Sequence, residues 1–398
     1  MKKILIVSHA LELGGAERSL IGLLDAINKK EYKVDLFLLR HEGELLSFIP
    51  EGVNLLPEIP AYTVLARPMV QTLKEGHIIL TAARMYGKIK ADTYVKKCGH
   101  TDSGVPLEYS HKYTYRFMPE IQPAEEYDLA ISFLTPHYIV THKVHAKKKI
   151  AWIHTDYSKV QTNEKSELEM WSAYDQIISI SDDVTKTFQK TFPTLSMKII
   201  KIENIIPEKL IISQSKEFVP VEEMPDDSIK ILSIGRYCTA KNFDNVPNIC
   251  KHLVKQGMNV RWYLIGFGPD ENLIKEKIKE EHMEKNVIML GKKSNPYPYI
   301  CRCDLYVQPS RYEGKCVSVK EAQMLRKPVV ITNYATANSQ VENGVDGIIV
   351  TMDNEKCAVE IARILKDGEK MKRMSQKCTE KNYSNVTEVK KIYSMCTC

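Results

Sequence analysis

No apolar run in this chain approaches the roughly 20 residues that a membrane-crossing helix requires. The opening Met1-Lys2-Lys3-Ile4-Leu5-Ile6-Val7 begins like a secretory signal, but its apolar run is too short. Ser8-His9 and Glu12 interrupt it, so a buried first strand is the expectation. A strong charge of one sign is also missing. The formal net charge is +6 over 398 residues, too little to argue for a nucleic-acid partner. It is compatible with an anionic substrate or a membrane surface and does not choose between them. Ten cysteines are present, but paired metal-ligand spacing is not. Cys301/Cys303 and Cys396/Cys398 are Cys-x-Cys pairs with no second pair at a zinc-like distance, which favours free thiols in a reducing cytosol.

What the chain does have is length and rhythm. At 398 residues with 43% apolar content it should hold two domains with ordinary cores. Short apolar runs alternate with amphipathic stretches: Lys3–Val7, Val34–Leu39, Val53–Leu56, Tyr127–Phe133, the run from Lys149, Asp175–Ser181 and Lys198–Asn204 read as strands of a first unit. Such a βαβ rhythm predicts a parallel sheet with helices on both faces, and ligands at the carboxyl ends of its strands. Pro207, Pro220 and Pro225, with acidic Glu222-Glu223 and Asp226-Asp227, read as a linker over 207–228. A second α/β unit then runs over 229–384. Its strands are Ile229–Ile234, Val260–Ile265, Val287–Leu290, Leu305–Val307, Val329–Thr332 and Asp346–Val350.

The most informative stretch lies in that second unit. Leu305-Tyr306-Val307 ends in Gln308-Pro309-Ser310, a strand leaving its sheet. An amphipathic segment from about Val317 to Arg326 follows, and Lys327-Pro328 stops it. Glu313-Gly314 is therefore a strand-to-helix turn, with Glu321 in the helix behind it. A helix start suits a diphosphate, and a carboxylate one or two turns in can accept hydrogen bonds from paired sugar hydroxyls. Two glutamates at this spacing are also what a solvated helix face carries.

With seven residues between them, Glu313 and Glu321 resemble the Glu-x7-Glu signature of retaining glycosyltransferases of the family-4 type. Pro-Ser-Arg-Tyr-Glu-Gly-Lys, then Lys-Glu-Ala and Lys-Pro-Val-Val, is similar to the branch found in bacterial surface-polysaccharide clusters. The resemblance implies two Rossmann-like parallel-sheet domains facing each other across a cleft (GT-B). Residues 1–206 would form the acceptor-side domain, with an insertion at about 61–120. Residues 229–384 would bind the nucleotide-sugar, and a helix over 385–398 would cross back to the first domain. The implied reaction moves a sugar from a nucleoside diphosphate, UDP in first place, to a carbohydrate hydroxyl with retention. Gly235-Arg236 through Lys241-Asn242 is similar to the family's Gly-Arg…Lys motif, so Arg236 and Lys241 would neutralise the diphosphate with the amides near Lys315, Cys316 and Val317. Glu313 with Gly314 would orient the donor sugar, and Glu321 would grip ribose hydroxyls. Gly266 and Lys292 stand in loops similar to the nucleotide pocket. Gly14 and Gly15 resemble the glycine-rich loop near the donor, where an ordinary tight turn is the other reading. His154 sits where similar enzymes place a histidine against the transferred sugar, although a histidine after a strand is commonly structural. No cofactor is implied. Metal should be dispensable, because cations and a helix start take its place and no Asp-x-Asp lies in a candidate loop.

The chain departs from many relatives in carrying Lys315 and Cys316 after Glu-Gly. Cys316 could be a thiol activated by a helix start, or a packed side chain. Residues 61–120 break the strand rhythm, with nine Lys and Arg against five Asp and Glu, a balance of +4. They read either as helices packed on the sheet or as an acceptor or membrane-surface site, since lipid-linked acceptors are common in the family. The implied location is cytoplasmic, with peripheral contact on the inner membrane face in the second reading. Two other functions fit the same architecture: a sugar-nucleotide epimerase, and a silent nucleotide-sugar-binding partner of a synthase. An intact Arg236, Lys241, Glu313 and Glu321 speaks against the silent partner.

Overall fold

The apolar run after Lys2 becomes an interior strand of a seven-stranded parallel sheet. The computed structural model describes residues 1–101 and 103–396. Asp102, one of the acids counted in 61–120, and Cys398 of the Cys396/Cys398 pair lie outside the described residues. The chain divides into two compact units, one from Met1 to Ile205 together with the segment from Asn385, the other from Ile206 to Ser384.

In the first unit, β1 (Lys2–Ser8), β2 (Tyr32–Leu38), β3 (Val53–Leu55), β4 (Leu129–Ser132), β5 (Lys149–Ile153), β6 (Gln176–Ser179) and β7 (Ile199–Lys201) lie in the order β3-β2-β1-β4-β5-β6-β7. Ile4, Leu5 and Ile6 are all fully buried, so β1 is covered on both faces, as a continuous apolar run requires. Ser181, in extended backbone, caps the helix Asp182–Thr191, its Oγ accepting the Val184 amide. The segment from Asn385 ends in helix Val389–Met395, where Tyr393 stacks on Tyr32 at 4.6 Å and its hydroxyl accepts the Asn28 amide.

Residues 61–120 are helical, chiefly Ile78–Cys98 and Val105–Thr114. Gly87 lets these two pack closely, since a Cβ there would stand 2.8 Å from the Tyr109 carbonyl oxygen. Among the described residues no helix is long and apolar enough to cross a membrane.

The second unit holds β8 (Ile229–Ile234), β9 (Val260–Ile265), β10 (Val287–Gly291), β11 (Leu305–Gln308), β12 (Val329–Thr332) and β13 (Ile348–Val350), all parallel, in the order β10-β9-β8-β11-β12-β13. Apolar clusters cover both faces of the sheet, one around Trp262 and Leu305, the other around Tyr306 and Val319. The stretch 207–228 is no free tether. It contains helix Glu208–Gln214, and Ile211 and Met224 are fully buried in the second cluster. Its prolines punctuate turns, and its acids hold the unit together: Asp226 pairs with Arg302 and Lys230, and Glu223 with Lys293.

Candidate functional site

β8 and β11 are neighbours, so their carboxyl ends deliver two loops side by side. From β8 come Gly235, Arg236 and Lys241; from β11 come Ser310, Glu313 and Cys316. The loops are stitched together. Arg311 makes a two-pronged pair with Asp244, at 2.9 and 2.7 Å, and Asn242 donates from its side chain to the Pro309 carbonyl. Asn242 adopts a left-handed backbone (φ 60°), one of the few non-glycine residues that tolerates it.

At the junction sits a charged cluster. The Lys241 ammonium pairs with Oε1 of Glu313, which also accepts the Ser310 hydroxyl at 2.7 Å. Gln308 in turn holds Ser310 at 2.9 Å. The Lys241 ammonium also lies 3.5 Å from the Cys316 sulfur. Burial works to lower the pKa of Lys241, but Cys316 and Glu313 outweigh it and hold the group above its ordinary range. Burial and the Glu313 carboxylate push the Cys316 thiol up, against Lys241. Cys316 is therefore the packed side chain of the two readings, 3% exposed. Its amide is also spoken for: it donates to the Gln340 side-chain oxygen at 2.8 Å, and the Gln340 amide donates back to the Cys316 carbonyl.

Arg236 differs from its neighbours. It is exposed and has no hydrogen-bonding or charged partner among the described residues. Gly314, Lys315 and Val317 complete the turn and begin helix Val317–Met324. Glu321 points inward from this helix, fully buried, and accepts the Tyr297 hydroxyl at 3.0 Å. Gly266 has φ +155°, and a Cβ there would fall 1.9 Å from the Gly235 carbonyl oxygen, so this loop presses directly on the backbone before Arg236. Lys292 lies over the Phe267 ring of the same loop at 5.0 Å.

The remaining expected site residues belong to the first unit. Gly14 caps helix Gly15–Ala26 in extended backbone, and the Glu17 carboxylate lies over it, where burial raises its pKa. His154 follows β5 beside Phe133 and Trp152, with Nε2 buried and unpartnered. His9 after β1 also has a buried, unpartnered Nε2, and His111 packs against it at 5.4 Å. Sequence reading did not single out His9 or His111; histidines ending β1 and lying in the insertion only meet through the fold. It also missed Ser310, Gln340 and the Asp244–Arg311 clamp.

Burial holds the pKa of His9 down at about 4 and that of His154 at about 3, against about 6.5 for a free imidazole. Both rings are neutral at physiological pH. Below about pH 6.5 the unfolded chain binds protons that these folded rings refuse, so their contribution to stability falls as pH drops toward 4. The free energy of unfolding should decline across pH 6.5 to 4, and the decline should shrink in His9→Asn by up to about 3 kcal/mol. An unchanged decline in that variant would assign the titration elsewhere.

A family model described as "Glycosyl transferases group 1" matches residues 214–381. Over 172 residues the chain is 27% identical to the poly(glycerol-phosphate) alpha-glucosyltransferase of Bacillus subtilis, covering 41% of this chain and 26% of that protein. Over 165 residues it is 28% identical to the capsular polysaccharide biosynthesis glycosyltransferase CapM of Staphylococcus aureus, covering 40% of this chain and 43% of CapM. The matches thus span less than half the length of these relatives. Anabaena Alr3699/HepE, solved in complex with UDP and glucose, aligns over 99% of both chains with a TM-score of 0.66 and 16% identity. At that identity the likeness shows the fold, the expected GT-B pair of parallel-sheet units.

Proposed function

We propose, from the match of residues 214–381 to the glycosyl transferases group 1 model, that the protein is a retaining, metal-independent glycosyltransferase. It would transfer a hexose or related sugar from a UDP-sugar to a carbohydrate hydroxyl during bacterial surface-glycan synthesis. One observation carries the reading. An unpartnered arginine stands on one strand end beside a Lys241–Glu313 pair that joins it to the neighbouring strand end. Such an arrangement suits a ligand that carries both a diphosphate and a sugar.

The residues then have distinct tasks. Arg236 takes the diphosphate in a two-pronged grip, and Lys241 adds a fixed positive charge as the bond to the leaving group breaks. Glu313, anchored by Lys241 and Ser310, turns its other oxygen to the donor sugar's hydroxyls. Glu321 exchanges the Tyr297 hydroxyl for those of ribose. In the first unit His154, neutral by burial, offers Nε2 to a sugar hydroxyl. The Lys241 and Arg236 charges supply what a bound metal supplies elsewhere, so no metal is assigned. The acceptor is proposed to be lipid-linked, with the first unit working at the inner face of the membrane. The relatives bear on the biology through their names alone, one a poly(glycerol-phosphate) glucosyltransferase and one a capsular glycosyltransferase.

The test is a panel of UDP-sugars incubated with the protein and EDTA, with released sugar followed by proton NMR. The expected result is slow release of UDP from one donor, undiminished by EDTA, with the product's first-formed anomer matching the donor. Inverted product, or release that EDTA abolishes, would refute the corresponding part of the assignment.

A further inference from the structure

Helix Ile78–Cys98 carries two apolar faces. Leu80, Gly87 and Ala91 are buried against the unit. Ile78, Ile79, Ala82, Met85, Tyr86 and Ile89 recur at helical spacing on the other side, and all are exposed; Ile78 and Ile79 are each 65% exposed. Isolated exposed apolar residues are ordinary, but a continuous stripe is not.

The start of this stripe forms one wall of a cavity of about 900 Å³ in the first unit. Ala83, Phe117, Met170 and Ala173 line it, and Tyr115, stacked between Tyr138 and His142, supplies an aromatic wall. The size lies within the range of about 300–1,000 Å³ typical of small-molecule sites. Two cations border it and are differently committed. Lys112 bonds the Ser166 hydroxyl and lies 3.6 Å from Glu169, itself on the cavity wall. Arg116 lies over the Tyr115 ring and has no carboxylate partner among the described residues. Along the helix, Lys88, Lys90, Lys96 and Lys97 likewise lack carboxylate partners among the described residues.

An apolar pocket with a guanidinium at its wall that no carboxylate among the described residues neutralises, and lysines without carboxylate partners farther along helix Ile78–Cys98, asks for an occupant with a long hydrocarbon chain and an anionic head. A protein helix could lie along the stripe, but it would leave the cavity beneath unfilled and the cations unmatched. We propose that this cavity binds a single lipid bearing a phosphate, the chain seated among Ile79, Ala83, Phe117 and Met170 and the phosphate paired with Arg116. Resting on the reading of the first unit as the acceptor side, the site would hold the acceptor by its lipid carrier.

The probe is geranylgeranyl phosphate below its aggregation threshold, titrated calorimetrically into the full chain. Wild type should bind it saturably. Ala82→Arg, on the exposed mouth, and Arg116→Glu should each weaken binding by at least about tenfold, the equivalent of losing roughly two buried methylenes of contact. Both variants should keep the wild-type melting temperature and the wild-type response to UDP. Several outcomes would overturn the site: no saturable binding, equal binding by both variants, or full displacement by inorganic phosphate. Binding to phosphatidylglycerol vesicles without binding to the free probe would make the stripe a leaflet surface instead. A dimer in wild type that Ala82→Arg dissolves would make it a contact between copies. The UDP response reads the donor assignment separately. UDP binding without lipid binding sinks only this inference; lipid binding without UDP binding sinks the transferase reading and leaves a lipid site.

Discussion

Arg236→Ala should abolish the thermal stabilisation that UDP gives the wild-type protein while leaving the ligand-free melting temperature unchanged. The two halves of this expectation have separate causes. Arg236 is exposed and unpartnered among the described residues, so truncating it breaks no contact in the folded chain. Its whole effect should therefore appear in ligand binding. A ligand at about a hundredfold its dissociation constant stabilises a protein by roughly 2.7 kcal/mol. For a unit of this size that is a rise of about 5–10 °C. Losing a two-pronged contact to diphosphate would remove most of it. Arg236→Lys should recover only part, because an ammonium does not reproduce the fork of donors. The informative failure is a wild-type shift that Arg236→Ala retains in full, since the diphosphate would then sit elsewhere.

Lys241→Ala should behave in the opposite way, unfolding the second unit more easily even with no ligand present. The Lys241 and Glu313 side chains are only 17% and 12% exposed, so each carries a charge that the other must balance. Removing the lysine leaves the Glu313 carboxylate with the Ser310 hydroxyl and little else. Breaking a buried pair by deleting one partner typically costs about 3–5 kcal/mol. Chemical denaturation should register that loss in the midpoint. The double variant Lys241→Ala, Glu313→Gln should recover part of it, because the stranded charge is gone. The pair also sets a pH expectation. A raised lysine pKa contributes stability at every pH below its ordinary value of 10.5 and loses it only as pH rises through the higher folded value. The lysine's contribution is thus constant through the neutral range. An unaltered denaturation midpoint in Lys241→Ala would mean that the observed ion pair contributes nothing to the fold.

The contrast between these two cations was not available from their sequence context. Gly235-Arg236 and Lys241-Asn242 look equivalent as basic positions after a strand. One became exposed and free among the described residues, the other sank beside Glu313, because Asn242 turns the backbone to the left-handed region and draws its loop under Pro309. The same limit applies to the helix start after Glu313. Its position was legible, since a strand exit, a glycine and a Lys-Pro stop bracket it. The engagement of its first amide by Gln340 was not, because residue 340 lies 24 positions away and its side chain carries no motif.

What the sequence determined by itself is the strand-and-helix order and the existence of the glutamate turn. Parallel strands buried on both faces must be short continuous apolar runs, and such runs can be read one segment at a time. Each of the thirteen strands among the described residues was legible in this way, to within a few residues at its ends. Only the tertiary structure decided which side chains meet. It packed the proline-marked 207–228 stretch into the second unit's core, buried Glu321 against Tyr297, set His9 against His111, and packed His154 on Phe133 and Trp152. It also turned one apolar face of helix Ile78–Cys98 outward over a cavity. The physical reason is common to all of these. Local pattern follows from the period of the backbone, whereas pairing, burial and the ionisation that follows from them depend on groups far apart in the chain that only packing brings within reach.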